Sequence, residues 1–270
     1  MEIWNPWHGC KKYSEGCENC YMYFLDKQRD KDGSIIHKVK TNFNLPLKKN
    51  KQGEYKIPSG TMLYVCMTSD FFLEEADEWR KEVWEMIKKR PDITFWIQTK
   101  RVERIKDNLP KDWNNGYENV ILVVTTENEK RAKERLPIFL EIPSKRKGIM
   151  CAPMLSKIHL EEYLKTNQFE IVLVDGENYE GNRPLYFDWV KILYEECIKY
   201  NIEFQFIGTG NVFIKDGKTF IIPKAYQKIM AQKSELQNPP IKENLKIQKK
   251  CKDCFRKNSC NGCKWCGKCT

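Results

Sequence analysis

The sequence predicts an α/β fold like that of a TIM barrel, closed or partial, in which parallel strands alternate with helices. Seven short apolar runs of strand length recur along the chain, and polar or glycine-rich residues follow them. Continuous apolar runs are typical of parallel strands that are covered on both faces. The predicted strands are residues 2–4, 62–67, 92–97, 120–124, 148–151, 171–174 and 204–207.

Helical periodicity between the strands supports the same fold. Residues 76–90 carry four apolar side chains at positions i, i+4, i+7 and i+8, which are Trp79, Val83, Met86 and Ile87. This one-sided stripe predicts an amphipathic helix, and Pro91 follows its end. A strand and the helix after it form the unit that parallel α/β folds repeat.

The length of the chain limits the number of domains. At 270 residues and 32.2 kDa, it has room for one barrel-sized domain and a small appendage. We expect a barrel domain over residues 1–232, a polar linker over 233–250 and a cysteine-rich tail over 251–270. No run approaches the ~18 apolar residues of a membrane span, and no signal-peptide pattern is found. A cytoplasmic protein without a membrane partner is predicted.

Twelve cysteines lie mainly near the two ends of the chain, at spacings that metal ligands use. Disulfides are rare in the cytosol, so this usage favours metals or clusters over a disulfide framework. Cys66, Cys151 and Cys197 lie within apolar strands or a periodic helix and are predicted to be small core residues. His37 and His159 are assigned no role.

The first cysteine group, which we call the cysteine loop, is Cys10, Cys17 and Cys20 in a C-x6-C-x2-C pattern after the first strand. Three thiolates suit a [4Fe-4S] cluster with one iron left open for a substrate or cofactor. Chains that bind S-adenosylmethionine on such a cluster present three cysteines in this way, usually with a shorter first gap. The alternatives are a zinc site with His8 as fourth ligand, or buried thiols without a metal.

Polar residues follow several predicted strands, where parallel α/β folds bind their ligands. Taken singly, each is more often structural, but their repeated placement predicts a shared site beside the cysteine loop. The residues at these strand ends are Ser69, Asp70, Lys100, Arg101, Thr126, Glu127, Asp175 and Glu177.

Several motifs together resemble those of the phage-associated three-cysteine-motif family, over about residues 1–213. They are Trp4-Asn5-Pro6, Gly9-Cys10, Gly16-Cys17, Cys20-Tyr21, Ser69-Asp70-Phe71-Phe72, Thr99-Lys100-Arg101, Asn119-Val120, Gly176-Glu177 and Arg183-Pro184. That family is similar to radical S-adenosylmethionine (SAM) enzymes in its cysteine triad and predicted barrel. Two departures from it are Ala152, where the family tends to have Glu, and the run 175–178, where it has Gly-Gly-Glu-Ser.

The resemblance implies that Cys10, Cys17 and Cys20 are cluster ligands and that SAM binds the open iron. A flavodoxin or ferredoxin would then serve as electron donor. We expect Ser69 and Asp70 near the methionine part of the cofactor and Thr126 and Glu127 near its ribose, because acidic and hydroxyl groups suit ammonium and sugar hydroxyls. The residues expected to face the substrate are Lys100, Asp175, Glu177 and Arg183.

The tail carries six more cysteines in C-x2-C steps, Cys251, Cys254, Cys260, Cys263, Cys266 and Cys269. The pattern is ferredoxin-like and predicts an auxiliary iron-sulfur cluster, with zinc as the alternative.

The net charge of +10 favours a polyanionic partner, although a solvated lysine-rich surface is the plain alternative. Lys48 to Lys51 lie in a predicted flap over residues 31–60, and the tail contains Phe255 and Trp265. We therefore expect a nucleic acid or nucleotide as the substrate, with a peptide or small molecule nearly as suitable. The alternative function is a nonenzymatic, metal-stabilised nucleic-acid-binding protein.

Overall fold

A computed structural model of the chain describes residues 2–179 and 181–239, and it divides them into two compact units. The first unit consists of residues up to 125 together with 133–149, and the second consists of 126–132 and the residues from 150 onward. The predicted tail and its six cysteines lie outside the described residues, as does most of the predicted linker.

The first unit contains six complete strands and two α-helices. The strands are β1 (Glu2–Trp4), β2 (Trp7–His8), β3 (His37–Lys38), β4 (Met62–Val65), β5 (Thr94–Thr99) and β6 (Val120–Thr125), and the helices are α1 (Tyr21–Lys27) and α2 (Asp77–Lys88). α3 (Glu129–Leu140) and β7 (Lys147–Cys151) contain residues of both units.

Parallel pairing joins β1 to β4, β4 to β5 and β5 to β6. Their apolar side chains form the core of the first unit, where Trp4, Leu63, Phe95 and Ile97 are fully buried and every residue of β6 is buried. β4 ends at Val65, two residues before the predicted end, because Cys66 adopts a φ of 58° that a strand cannot continue.

The predicted amphipathic helix is confirmed as α2. Val83 and Ile87 are fully buried and Met86 is 6% exposed, so the apolar stripe faces the core of the first unit. The same helix also buries Arg80, whose guanidinium donates to the carbonyl oxygens of Phe71 (2.7 Å) and Leu73.

The second unit contains β8 (Ile171–Asp175), β9 (Leu185–Tyr186), β10 (Glu203–Gly208), β11 (Val212–Lys215), β12 (Lys218–Ile221) and β13 (Gln237–Asn238). Its helices are α4 (Glu161–Leu164), α5 (Phe187–Lys199) and α6 (Lys224–Gln232). β8 and β10 pair in parallel, β13 adds to β10 in the antiparallel sense, and β9, β11 and β12 form a separate three-stranded sheet.

The fold is therefore mixed α/β with mostly parallel strands, as the apolar runs predict. Within residues 2–179 and 181–239, no strand pairing closes a barrel. The small sheet of β9, β11 and β12 is absent from the sequence prediction. None of the helices in the described ranges combines the length and the apolar character that crossing a bilayer requires.

Candidate functional site

The cysteine loop runs from the end of β2 to the start of α1. Gly9 has a φ of +88°, and a Cβ atom there would lie 2.3 Å from the carbonyl oxygen of Ile35, so the chain needs glycine at this turn. Cys17 closes a 3₁₀ turn through its amide, which donates to the Ser14 carbonyl at 2.8 Å. Cys20 immediately precedes α1.

Side chains from α1 and from the ends of β4 and β5 hold the backbone of this loop. Ser69 Oγ donates to the carbonyl oxygen of Gly9 at 2.6 Å, and Arg101 Nη2 donates to that of Lys11 at 2.7 Å. The phenol of Tyr23 donates to the carbonyl oxygen of Cys10. The loop is therefore fixed from several elements of the first unit.

The three thiols are free and partly buried. Burial is the main cause that raises the pKa of Cys10 to about 12, the negative charge of Asp70 raises it further, and Arg101 opposes the shift. Cys17 and Cys20 also raise this pKa, so both lie close enough to act on Cys10 electrostatically. Gathering thiolates here is unfavourable unless a cationic group offsets their charge.

His8 does not lie free as a fourth ligand. Its Nε2 is 2.7 Å from Asp26 Oδ2, and its Nδ1 is 3.0 Å from Thr68 Oγ1. Both ring nitrogens are thus occupied within the first unit. This geometry disfavours the Cys3His zinc site, which requires one of those nitrogens for the metal.

In residues 2–179 and 181–239, no three His, Cys, Asp or Glu side chains are grouped as ligands of a single metal ion. A [4Fe-4S] cluster requires a wider spacing of its ligands than a single metal ion, because each cysteine sulfur binds a separate iron. Three soft thiols on one loop have the donor chemistry that such a cluster uses.

Asp70 connects the ends of two neighbouring strands beside the loop. Its Oδ1 accepts hydrogen bonds from the Phe72 amide (2.9 Å) and Thr99 Oγ1 (2.7 Å). Its Oδ2 accepts from the Lys100 amide (3.0 Å) and lies 3.0 Å from Arg101 Nη1. Each oxygen of this buried carboxylate therefore has two protein donors, and the observed role of Asp70 is to position Arg101. Contact with a cofactor stays a prediction.

Arg101 places a positive charge next to the thiols. Burial lowers its pKa, but Asp70, Cys10 and Cys17 outweigh that effect and hold the pKa above its ordinary value. The guanidinium carbon lies 5.0 Å from the ring centroid of Tyr13, a residue of the cysteine loop that the sequence analysis misses. The available signal in the sequence was an aromatic residue between Cys10 and Cys17.

Lys100 differs from its neighbour, because its partly exposed ammonium makes no ion pair or hydrogen bond with the described residues. The first unit thus brings the three cysteines of the cysteine loop together with Ser69, Asp70 and Arg101. Lys100 lies next to Arg101, directly after β5.

Thr126 and Glu127, predicted near the ribose, are fully buried in the second unit. Thr126 Oγ1 is 3.4 Å from Cys151 Sγ, and the Glu127 carbonyl oxygen accepts from the Leu155 amide at 2.7 Å. Their predicted cofactor contacts stay predictions.

Asp175 is the last residue of β8 and carries an unusual carboxylate. Its Oδ1 is buried and has no hydrogen-bond donor among the described residues. Burial raises the pKa of Asp175 to about 7, although Lys224, the Gly176 amide and Asn178 oppose the shift. Asp175 is therefore able to hold or release a proton near neutral pH.

Glu177 and Arg183 form a closed ion pair in the loop after β8. Arg183 Nε lies 2.9 Å from Oε1 and 3.0 Å from Oε2 of Glu177, which is 4% exposed. A Cβ atom on Gly181 would lie 2.1 Å from Glu177 Cγ, so this loop requires glycine there. The pair joins residues 177 and 183, and its predicted contact with a substrate stays a prediction.

The prediction that Cys66, Cys151 and Cys197 are core residues is confirmed, since each is at most 3% exposed. Burial raises the pKa of all three thiols.

The fold and these sites define a mixed α/β protein with a cysteine triad on a structured loop. Comparison with known families matches residues 1–264 to the family described as "Protein of unknown function (DUF5131)". The chain belongs to this family. No curated protein and no solved structure matches the chain.

Proposed function

We propose that this protein is a radical SAM-like enzyme in which Cys10, Cys17 and Cys20 hold a [4Fe-4S] cluster. The observation that carries the proposal is the set of three free thiols on one anchored loop, where Cys17 and Cys20 act electrostatically on Cys10 beside Arg101. The occupied ring nitrogens of His8 support a three-cysteine donor set with one coordination position open. S-adenosylmethionine is proposed to bind at that position.

When bound, such a cluster supplies one electron for reductive cleavage of S-adenosylmethionine, which yields a 5′-deoxyadenosyl radical for hydrogen abstraction. The protein's own residues provide the setting. Arg101 offsets the negative charge of the thiolates, Asp70 holds Arg101, and Ser69 holds the Gly9 carbonyl. The ammonium of Lys100 is available to an anionic group of a ligand.

Other assignments belong to the same proposal. Ser69 and Asp70 are proposed near the methionine part of the cofactor, and Thr126 and Glu127 near its ribose. Asp175, Glu177 and Arg183 are proposed to serve the substrate, and the raised pKa of Asp175 supports a proton-transferring role for it. A flavodoxin or ferredoxin is the proposed electron donor, and the tail is proposed to hold an auxiliary cluster, with zinc as the alternative.

The test is anaerobic purification and reconstitution of the full chain, followed by iron and sulfide analysis. The triple variant Cys10→Ala, Cys17→Ala, Cys20→Ala should contain about four fewer iron atoms per chain than the wild type, since one cubic cluster is lost. Cys197→Ala, a core substitution, is the control and should retain the wild-type iron content. A triple variant with all its iron, or stoichiometric zinc at the loop, would contradict the proposal.

A second measurement separates the enzyme from the alternative function. After anaerobic reduction with S-adenosylmethionine, the wild type should release 5′-deoxyadenosine and the triple variant should release none. A protein that holds its metal and binds nucleic acid, yet never forms 5′-deoxyadenosine, would instead be the nonenzymatic metal-stabilised binding protein.

A further inference from the structure

The positive charge of the chain is concentrated in two segments. Residues 38–56, here called the basic segment, contain six lysines and one glutamate, a net charge of +5. Residues 240–270 contain nine basic and two acidic residues, a net charge of +7. Since the whole chain carries +10, all other residues together carry −2. The excess is therefore local, which does not fit a uniformly lysine-rich surface.

Residues 48–56 of the basic segment form a hairpin-like turn within the first unit. Lys49 and Tyr55 form an isolated β-bridge, and the Lys56 amide donates to the Lys48 carbonyl at 2.8 Å. At the tip, Asn50 Oδ1 accepts from the amides of residues 52 and 54, each at 3.0 Å. The side chains of this turn are consequently presented in a defined arrangement.

Arg90 fastens the base of the turn to the core of the first unit. This arginine is fully buried, and its guanidinium donates to the carbonyl oxygens of Pro46 and Ile57, the latter at 2.8 Å. Arg90 Nε forms an ion pair with Asp92 Oδ1 at 2.8 Å. The Cζ atom of Arg90 lies 4.0 Å from the ring centroid of Tyr55. A segment held in this way loses little conformational entropy when a ligand binds.

Four lysines of the basic segment are exposed and have no acidic partner in the described part of the chain, namely Lys40, Lys49, Lys51 and Lys56. Their ammonium groups contrast with those of Lys81, Lys191 and Lys199, each of which pairs with a glutamate. Tyr55 belongs to the same segment and is 40% exposed, and Lys49 Nζ lies 5.0 Å from its ring centroid. An exposed aromatic ring with an unpaired cation beside it, in a segment that carries three more unpaired lysines, suits a polyanion that carries planar groups.

We infer that the basic segment binds single-stranded nucleic acid, with the four unpaired lysines toward phosphates and Tyr55 toward a base. This inference deepens the proposed function, on which it rests for the reaction, by naming nucleic acid as the substrate class. It does not depend on the tail, which carries a separate excess of charge.

The test uses the full chain and a fluorescein-labelled single-stranded oligothymidylate, with binding followed by anisotropy over a range of salt concentrations. The variant Lys49→Gln, Lys51→Gln, Lys56→Gln removes three charges. If each lysine contacts one phosphate, the slope of log K against log salt should fall by about 2, because each contact on a single strand contributes about 0.7. The matched control Lys81→Gln, Lys191→Gln, Lys199→Gln has the same net charge and should keep the wild-type slope.

Tyr55 supplies a second readout. Tyr55→Leu should weaken binding by roughly fivefold to a hundredfold through lost stacking, whereas Tyr55→Phe should bind like the wild type. Thermal unfolding of both variants shows whether the turn itself remains folded.

Equal slopes for the two lysine variants would overturn the inference, and so would tighter binding to phosphatidylserine vesicles or polyglutamate than to the oligonucleotide. Formation of 5′-deoxyadenosine in the absence of substrate should be the same in the lysine variant and the wild type. If the wild type forms no 5′-deoxyadenosine, that result counts against the proposed function alone. If the wild type does not bind the oligonucleotide, that result counts against this inference alone.

Discussion

Asp70 follows a parallel strand of the first unit and Asp175 is the last residue of a parallel strand of the second unit, yet their environments differ. Asp70 has two donors on each oxygen: the Phe72 amide supplies one, and Thr99, at the end of the neighbouring strand β5, supplies the others together with Lys100 and Arg101. Asp175 has a buried oxygen without a donor. Its neighbouring strand β10 ends at Gly208, where a Cβ atom would lie 2.6 Å from Asp175 Oδ1.

The difference shows that the residues at the end of the adjacent strand decide what a strand-end carboxylate does. Where they supply donors and a cation, the carboxylate is a structural anchor. Where they supply a glycine, as beside Asp175, burial outweighs the opposing effects of Lys224, the Gly176 amide and Asn178, and the pKa of the carboxylate rises. The following substitutions test this contrast.

The largest effect is expected for Asp70→Ala. This change leaves the guanidinium of Arg101, whose side chain is 9% exposed, without its ion partner, and leaves the Thr99 hydroxyl without its acceptor. Removing one member of a buried pair costs about 3–5 kcal/mol, which chemical denaturation would measure. Glu78→Ala removes an exposed pair with Lys81 and is the control with no measurable change expected. A loss as small as that of the control would show that Asp70 is not an anchor.

Asp175→Asn should raise the free energy of unfolding, in contrast to Asp70→Ala, and the size of this gain should depend on pH. The folded state holds the pKa of Asp175 at about 7, above the ordinary value of 3.8 for an aspartate, so the wild type loses stability as the pH rises between these values. The variant lacks this titration. Its gain in unfolding free energy over the wild type should be near zero at pH 4 and reach at most about 4 kcal/mol above pH 7. A gain that does not change with pH would show that burial does not raise the pKa of Asp175.

Glu177→Gln tests the charge of the second carboxylate in the loop after β8. Because Arg183 is 30% exposed, solvent screens the pair, and the expected loss of stability is about 1–2 kcal/mol. A double-mutant cycle with Arg183→Met isolates the coupling between the two residues. Zero coupling would mean that the ion pair between Glu177 and Arg183 does not stabilise the folded protein.

The smallest effect is expected for Thr99→Val, which keeps the shape of the side chain but removes one of the four donors to Asp70 and the acceptor of the Arg101 amide. The remaining three donors should limit the loss to about 1 kcal/mol in the same denaturation assay. Thr94→Val, on the same strand, is the matched control. If Thr99→Val were as harmful as Asp70→Ala, the network would depend on this hydroxyl rather than on the ion pair with Arg101.

Much of the fold is predictable from local pattern. The apolar runs predict β4, β5, β6, β7, β8 and β10 to within a few residues, and the stripe on α2 predicts its buried face. The buried core cysteines follow from the same runs. The sheet of β9, β11 and β12 has strands of only two to four residues with partly exposed faces, so its sequence carries little periodic signal.

In the candidate site, too, some features follow from the local sequence and others do not. The spacing of Cys10, Cys17 and Cys20 indicates a shared centre, and the apolar runs show which polar residues follow strands. The partners of those residues do not follow from position. Arg101 at Asp70, Asp26 at His8 and Arg183 at Glu177 are contacts between groups whose approach depends on how the chain folds back on itself.

By itself, the sequence determined the mixed α/β class, most of the parallel strands and the one loop that gathers three cysteines. It did so because burial of apolar side chains acts along each segment and leaves a local periodicity. Only the tertiary structure decided that Asp70 pairs with Arg101, that Asp175 has a buried oxygen without a hydrogen-bond partner in the described part of the chain, and that Arg90 is fully buried beneath the basic segment. The physical reason is that solvation and charge pairing depend on neighbours distant in sequence.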